Sequence, residues 1–441
     1  MSHNSRRALF YGFFLLFLAL GTGIVLFAEG WRVDFPSFRI SKVGGIYVRS
    51  FPEDATITLN AKPVQNESGF LSYGTLLSDL FPKIYRLTLT APGYDDWNEN
   101  VSVAPALVAT EKYAVLVPQE GITAASGTTL NFSAQGGGLI VENGNEAISR
   151  NGVFVAYGTM ITASHDLGAM IFLDTHGIYR LSLAGSSSTV NFSAAFAKGG
   201  MNLAQATFLS VDPANNATVI AADATQVLSF DSSRSALASF EKDQSAGTVL
   251  PSVAVSPSSV AWALFDVKKN SSKVMIYDRS TGAVTDKSLT LDGRIKKLSW
   301  LSDNMLGILT GTQELYSYDI GAKNLKKTAD DVLDFSETQD GASLAALEGN
   351  SLEIFSLSDP SVYDRFRLPE NGNASGIAWY HDGDHLFITY SDHVSFLDLQ
   401  DASLSNFTTV SAGMSPEYDP ETNALYLIDP QGNLLRFDFA K

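Results

Sequence analysis

Three histidines and four aspartates crowd one short stretch of this 441-residue chain. His381, His385 and His393 lie within residues 375–399, SGIAWYHDGDHLFITYSDHVSFLDL, together with Asp382, Asp384 and Asp392. Imidazole and carboxylate are ordinary ligands of zinc and other divalent ions, so the three histidines are the candidate metal ligands. The local pattern offers a plainer use for them. His381, Asp382 and Gly383 form a tight turn, and His385 and His393 each begin a short apolar strand. That reading expects a polar rim with a cross-strand pairing of His385 and His393. Other chemistry is hard to find. No Gly-x-Ser-x-Gly, His-Glu-x-x-His or phosphate-loop pattern occurs. The acidic runs at 330–334 and at Asp95-Asp96 lack the spacing of a calcium loop. No catalytic residue and no cofactor are expected.

The elements around the histidines repeat. Seven apolar runs each follow a turn: AMIFL (169–173), ATVIA (217–221), VAWAL (260–264), MLGIL (305–309), LAAL (344–347), HLFIT (385–389) and ALYLI (424–428). The turns carry Gly168, Asn215, Ser258, Asp303, Gly341, Gly383 and Asn423, at gaps of 47, 43, 45, 38, 42 and 40 residues. Each run is followed by a second strand, such as KVMIYD (273–278) or HVSFLD (393–398). Asp340-Gly341 and Asp382-Gly383 supply what a hairpin needs, a residue that bonds its own backbone beside one that accepts positive φ. A period of 40–45 residues with about four short strands per unit is the signature of a β-propeller. We expect seven blades over residues 120–441, with six or eight as alternatives, because residues 138–157 could form a short blade of their own. The last unit lacks a fourth strand. Val153–Tyr157 or residues 138–142 are expected to supply it and so remove the exposed edges.

Residues 44–119 read as strands without a helix. GIYVRS (45–50) and ATITL (55–59) flank a turn, and YRLTLT (85–90) alternates in period two. This segment resembles the PEGA domain, a family named for a Pro-Glu-Gly-Ala turn after a strand of the type G-x-(apolar)-x-(apolar)-x-S. The matching residues are Gly45 to Ser50, then Pro52, Glu53, Asp54 and Ala55, and later Leu80-Phe81-Pro82 and Gly93-Tyr94. Asp54 and Lys83 stand where the pattern has glycine; Asp54 is expected to take the left-handed backbone that Asp tolerates. The resemblance implies a small β-sandwich of bacterial and archaeal surface proteins, a spacer or envelope-interaction module without enzymatic activity.

From Ala8 to Ala28 the chain has 21 consecutive uncharged, mostly apolar residues. At about 1.5 Å per residue this crosses a bilayer core. Arg6 and Arg7 before it keep the amino terminus cytoplasmic and send the rest outward. The run is longer than a usual signal core and its end is poor in small residues, which favours an uncleaved anchor, with a cleaved signal as the alternative. Residues 29–43 are expected to be an interfacial tether, with Trp31 and Arg32 at headgroup level and Pro36 stopping helix continuation.

The formal charge is −17. Five basic against two acidic groups lie in residues 1–43, and five against eight in 44–119, so the remainder holds about −17. Such a surface repels phosphate backbones, which excludes nucleic acid as a partner. The absence of cysteine excludes disulfides, thiolate chemistry and Cys-ligated zinc. Together these features describe a mainly β, single-pass envelope protein: a cytoplasmic tip and anchor (1–28), a tether (29–43), a PEGA-like sandwich (44–119) and a propeller (120–441). Its expected role is binding or scaffolding outside the membrane, with a propeller face meeting protein or glycan. A propeller enzyme acting on envelope sugar or peptide, and a structural surface-layer component, are the alternatives.

Overall fold

The computed structural model describes residues 3–34, 39–68, 73–183, 188–241, 248–286, 289–359, 363–369, 373–400 and 406–439. Pro36 lies outside them. The chain divides into two compact units: Met1–Glu120 with the last three residues, and Gly121–Asp438.

In the first unit, His3–Ala28 is one α-helix. Its Leu9–Ala28 portion has a mean hydropathy of 2.3 and none of it is buried. A helix apolar on every side cannot sit in water exposed, so it is long and apolar enough to cross a membrane. Gly30, at φ 84°, ends it. Within the expected tether, Trp31–Asp34 pairs antiparallel with Arg39–Lys42 as the two arms of a hairpin. Arg32 fastens this hairpin at both ends. It donates to the Phe27 carbonyl at 2.7 Å and to Asp79 Oδ1 at 2.8 Å, and it lies 3.7 Å over the Phe27 ring.

Two sheets then pack face to face. One holds Thr75–Leu80, Gly44–Phe51 and Val108–Val115, the last pair parallel; the other holds Lys62–Val64, Thr56–Leu59, Ile84–Thr90 and Trp97–Ser102. Their shared core includes Ile46, Val48, Ile57, Leu87, Leu89 and Trp97. The period-two reading of residues 85–90 is met: Tyr85, Leu87 and Leu89 point inward while Ile84 is exposed. The Pro52–Ala55 turn is closed by the Ala55 amide on the Pro52 carbonyl at 3.3 Å, and the Ser50 hydroxyl donates to that same carbonyl at 3.0 Å. Glu53 offers its carbonyl to Asn66 at 2.9 Å. Neither Asp54 nor Lys83 has positive φ, so the left-handed backbone expected at Asp54 is absent and neither position needs a glycine. Gly93 does, at φ 82°, in the turn that the Tyr94 amide closes on Ala91.

The second unit is an eight-bladed β-propeller. Seven sheets read directly from the repeat: blade 2 (Thr159–Ala163 to Thr189–Asn191), blade 3 (from Phe208–Asp212), blade 4 (from Thr248–Val255), blade 5 (from Ile295–Ser302), blade 6 (from Asp334–Glu337), blade 7 (Gly376–Trp379 to Thr408–Ala412) and blade 8 (from Met414–Asp419). Every one of the seven apolar runs is the second strand of its blade. The expected count of seven is one short. Thr129–Gln135, Gly138–Asn143, Ala147–Arg150 and Val153–Tyr157 form a complete sheet of their own, blade 1. Val153–Tyr157 and residues 138–142 therefore do not close the ring. Ile122–Ala125 does, pairing antiparallel with Leu434–Asp438 as the outermost strand of blade 8. The first strands of blades 1 to 5 neighbour one another in order, as do those of blades 6 and 7, and that of blade 1 meets that of blade 8.

Each apolar cluster bridges two adjacent blades. Phe335 and Leu344 of blade 6 join Leu301 and Leu309 of blade 5, and Trp262 of blade 4 joins Ile220 of blade 3. Burying each such side chain stabilises the ring by roughly 1.5–3 kcal/mol. Polar ties run across the seams too. Arg279 of blade 4 grips Asp212 of blade 3 with two bonds of 2.7 and 2.9 Å. Lys297 of blade 5 reaches Asp334 of blade 6 at 2.7 Å, and the Trp379 indole of blade 7 donates to Ser336 of blade 6 at 2.9 Å.

Candidate binding cleft

The three histidines do not converge. His385 is fully buried; its Nδ1 lies 2.8 Å from Asp382 and its Nε2 3.6 Å from Asp398, and its ring stacks on Phe396 at 5.1 Å. Burial alone would lower its pKa, but the two carboxylates outweigh this and push it up to about 9. Asp382 moves the other way: burial raises it, and the His385 contact brings it below its usual range. An imidazolium protonated at both nitrogens has no lone pair for a metal.

His393 stands opposite Ala412, whereas His385 stands opposite Asp398. The two strands run antiparallel, so residues that begin each strand sit at opposite ends of the hairpin. The expected His385–His393 pairing is thus replaced by His385–Asp398. His393 stacks on Tyr390 at 4.6 Å and contacts Asp392 at 2.7 Å. His381 belongs to a chain of polar contacts between blades 7 and 8. Its Nδ1 is 2.8 Å from the Tyr418 hydroxyl, which donates to Asn423 at 2.8 Å, and Asn423 donates to the Tyr380 hydroxyl at 2.8 Å. Because the Tyr418 proton goes to Asn423, His381 Nδ1 is the donor in its contact.

The turn residues do what turn chemistry requires. Asp340 accepts from the Ala342 amide at 2.9 Å and the Thr338 hydroxyl at 2.7 Å, with Gly341 at φ 66°. Asp382 accepts from the Asp384 amide at 2.9 Å, with Gly383 at φ 78°.

A half-buried acid on the first strand of blade 8 also serves a seam. Glu417 accepts from the Ala134 amide of blade 1 at 2.7 Å, and burial pushes it up to about 7. The folded chain then holds a proton that the unfolded chain releases near pH 4.3. Stability should fall as pH rises from about 4.3 through 7, by on the order of 3 kcal/mol. Glu417→Gln keeps the acceptor and removes the ionisation. Its urea midpoint should exceed that of the parent above pH 7 and match it near pH 4; equal midpoints at both pH values would refute the assignment.

A wide opening lies elsewhere, where the blade pattern is interrupted. Between blades 2 and 3 the chain forms a short helix, Ser193–Lys198, and a single 3-10 turn, Leu203–Gln205. The alanines of SAAFAK favour helix. Phe196 is buried against Phe192 at 5.9 Å and Phe230 at 6.3 Å, ring edges to faces. Gly199 and Gly200 then stop it, the latter at φ 84°. This insertion walls a cavity of about 860 Å³ against Ile161, Leu173 and Ile178 of blade 2. Its own side contributes Ala197, Met201 and Leu203. Among the described residues no charged and no aromatic side chain lines it; Ser193 and Asn202 give it its polar groups. Sequence reasoning passed over this site. Its signals were the widest gap in the repeat, 47 residues, and an alanine-rich run closed by Gly-Gly.

No protein-family model matches the chain, and no curated protein sequence matches it. Among solved structures it is similar to one described as "Structure of Dos1 propeller", at 14% identity and a TM-score of 0.49, covering 73% of this chain and 94% of that one. It is also similar to "Oligogalacturonate lyase in complex with manganese", at 11% identity and a TM-score of 0.46, covering 72% of this chain and 98% of that one. The eight closed sheets stand as a propeller on their own topology.

Proposed function

We propose that this chain is a membrane-anchored binding protein whose propeller holds an extended apolar segment of a partner protein outside the cytoplasm. The cleft beside Ser193–Lys198 carries the reading: the one helical insertion among the described propeller residues spends its length walling an apolar opening. Pockets that take ligands are concave, largely apolar and furnished with a few polar groups. A glycan would be met by aromatic platforms and carboxylates, and the described lining residues include neither, which favours protein within the broader expectation of protein or glycan. The helix supports the anchor, since its end is stapled by Arg32 to a folded hairpin and to Asp79 rather than running into a loose segment. The sandwich would serve as a PEGA-type spacer between membrane and propeller.

Ala197 and Ala204 are exposed and line the cleft, so changes there should leave the fold intact. A photo-reactive side chain at position 204 of the full-length chain, in its native membrane, should form protein adducts. Ala197→Glu should lower their yield tenfold or more, because a carboxylate would be desolvated against the bound apolar segment. Adducts that form equally in Ala197→Glu, or that contain no protein, count against the proposal.

A further inference from the structure

A second opening lies at the foot of the anchor helix. It measures about 530 Å³ and is lined by Gly23, Leu26, Phe27, Val33, Ile40 and Phe81. Phe27, Ile40, Val33 and Leu26 are 62%, 65%, 46% and 42% exposed, an expensive arrangement in water. Its two charged neighbours, Arg32 and Asp79, neutralise each other at 2.8 Å. The apolar wall is continuous with Leu9–Ala28, a surface that acyl chains cover if the helix spans a bilayer.

The hairpin supplies the other half of a lipid's chemistry. Arg39 stands across from Asp34, and Lys42 from Trp31. Lys42 Nζ lies 5.6 Å over the Trp31 ring, and tryptophan and basic residues together mark the headgroup level. Arg32 is already committed to Phe27, Trp31 and Asp79. Lys42 also pairs with Glu29, at 3.8 Å with both side chains partly exposed, so Arg39 is the cation left to face a phosphate and Lys42 joins it by exchanging that long, solvent-screened partner. Gly23 completes the case: a Cβ built there meets nothing within 4 Å, so the helix leaves open space on the side that lines the groove.

We infer that the groove between the anchor helix, the Trp31–Lys42 hairpin and Phe81 is a binding site for one phospholipid of the adjoining leaflet. An acyl chain lies along Gly23, Leu26 and Ile40, and the phosphate meets Arg39 and Lys42. This rests on the membrane reading proposed above. The lipid ties helix, hairpin and sandwich into one body at the membrane surface.

Native mass spectrometry of the full-length chain, after exhaustive exchange into detergent, reads the site directly. One phospholipid per chain should remain bound. Gly23→Leu, which fills the groove while improving helix propensity, should cut the retained lipid at least tenfold. Gly12→Leu is the matched control, because a Cβ there also meets nothing within 4 Å and position 12 is outside the groove; it should retain the lipid. A parent chain that keeps no lipid, or equal loss in Gly12→Leu and Gly23→Leu, overturns the inference. Alkaline carbonate extraction separates this from the anchor itself. A chain washed out of the membrane defeats the anchor reading and with it the lipid site. A chain that stays integral but carries no lipid defeats the site alone.

Discussion

His385→Ala should lower the stability of the propeller by about 3–5 kcal/mol, the cost of leaving buried carboxylates without their counter-charge. Asp382 and Asp398 would lose the one cation that sits between them. The parent should also carry a pH signature that the variant lacks. The imidazolium titrates near 9 in the fold and near 6.5 in the unfolded chain. Its folded pKa is the raised one, so its stabilisation is complete below about pH 6.5 and is lost as pH rises through 9. The loss is on the order of 3 kcal/mol. Urea unfolding followed by tryptophan fluorescence between pH 6 and 10 measures both effects. Replacing the triad together, His385→Leu with Asp382→Asn and Asp398→Asn, should recover much of the stability and flatten the pH profile. A parent midpoint that does not change from pH 6 to 10 would falsify the buried imidazolium.

The second large effect belongs to the ring closure. Ile122 pairs with Arg436 and Thr123 with Leu435. Amides along a strand point alternately toward and away from the neighbour, so two successive prolines must remove one inward donor. Ile122→Pro with Thr123→Pro should therefore detach the strand and expose the edge of Leu434–Asp438. The lost backbone bonds cost about 3 kcal/mol in all, at roughly 0.5–1.5 each. The matched change, Thr408→Pro with Thr409→Pro, strikes the outer strand of blade 7, which closes nothing. Limited proteolysis should cut the first variant across several blades and the second only near its own strand. Identical digestion patterns would show that closure adds nothing to the ring.

Much of this architecture was written locally. The seven apolar runs are visible because a strand buried on both faces reads as unbroken apolar sequence, and VAWAL is buried throughout. Their turns are visible because Asp340-Gly341 and Asp382-Gly383 must satisfy backbone chemistry in place. Blade 1 was legible only as the alternative of a short blade over residues 138–157, because its turn, Gly136-Gly137 at φ 58° and 72°, lies closer to the next turn than any later pair does. The closing strand is four residues, ITAA, with no periodicity of its own. Its identity resides in a partner at the other end of the chain. The histidines show a different limit. Their positions at strand starts were right, but antiparallel geometry sends consecutive starts to opposite ends, and the buried acid facing His385 comes from the end of the next strand. The cleft was hidden for a fourth reason: Ser193–Lys198 has helical character too brief to stand out, and only packing on Phe230 gives it a place.

Blade 8 also sets a clock. Gly127 donates to Asn433 across 306 residues of sequence, so the ribosome makes the outermost strand long before anything exists for it to pair with. Blades 2 to 7 can assemble in order as they emerge, each on the one before. Ile122–Ala125 must wait, edge open, until Leu434–Asp438 has been made. The interval between those two moments is the time in which a helper could hold the strand, or a neighbouring chain could capture it. A stop codon anywhere before residue 434 would make that waiting permanent.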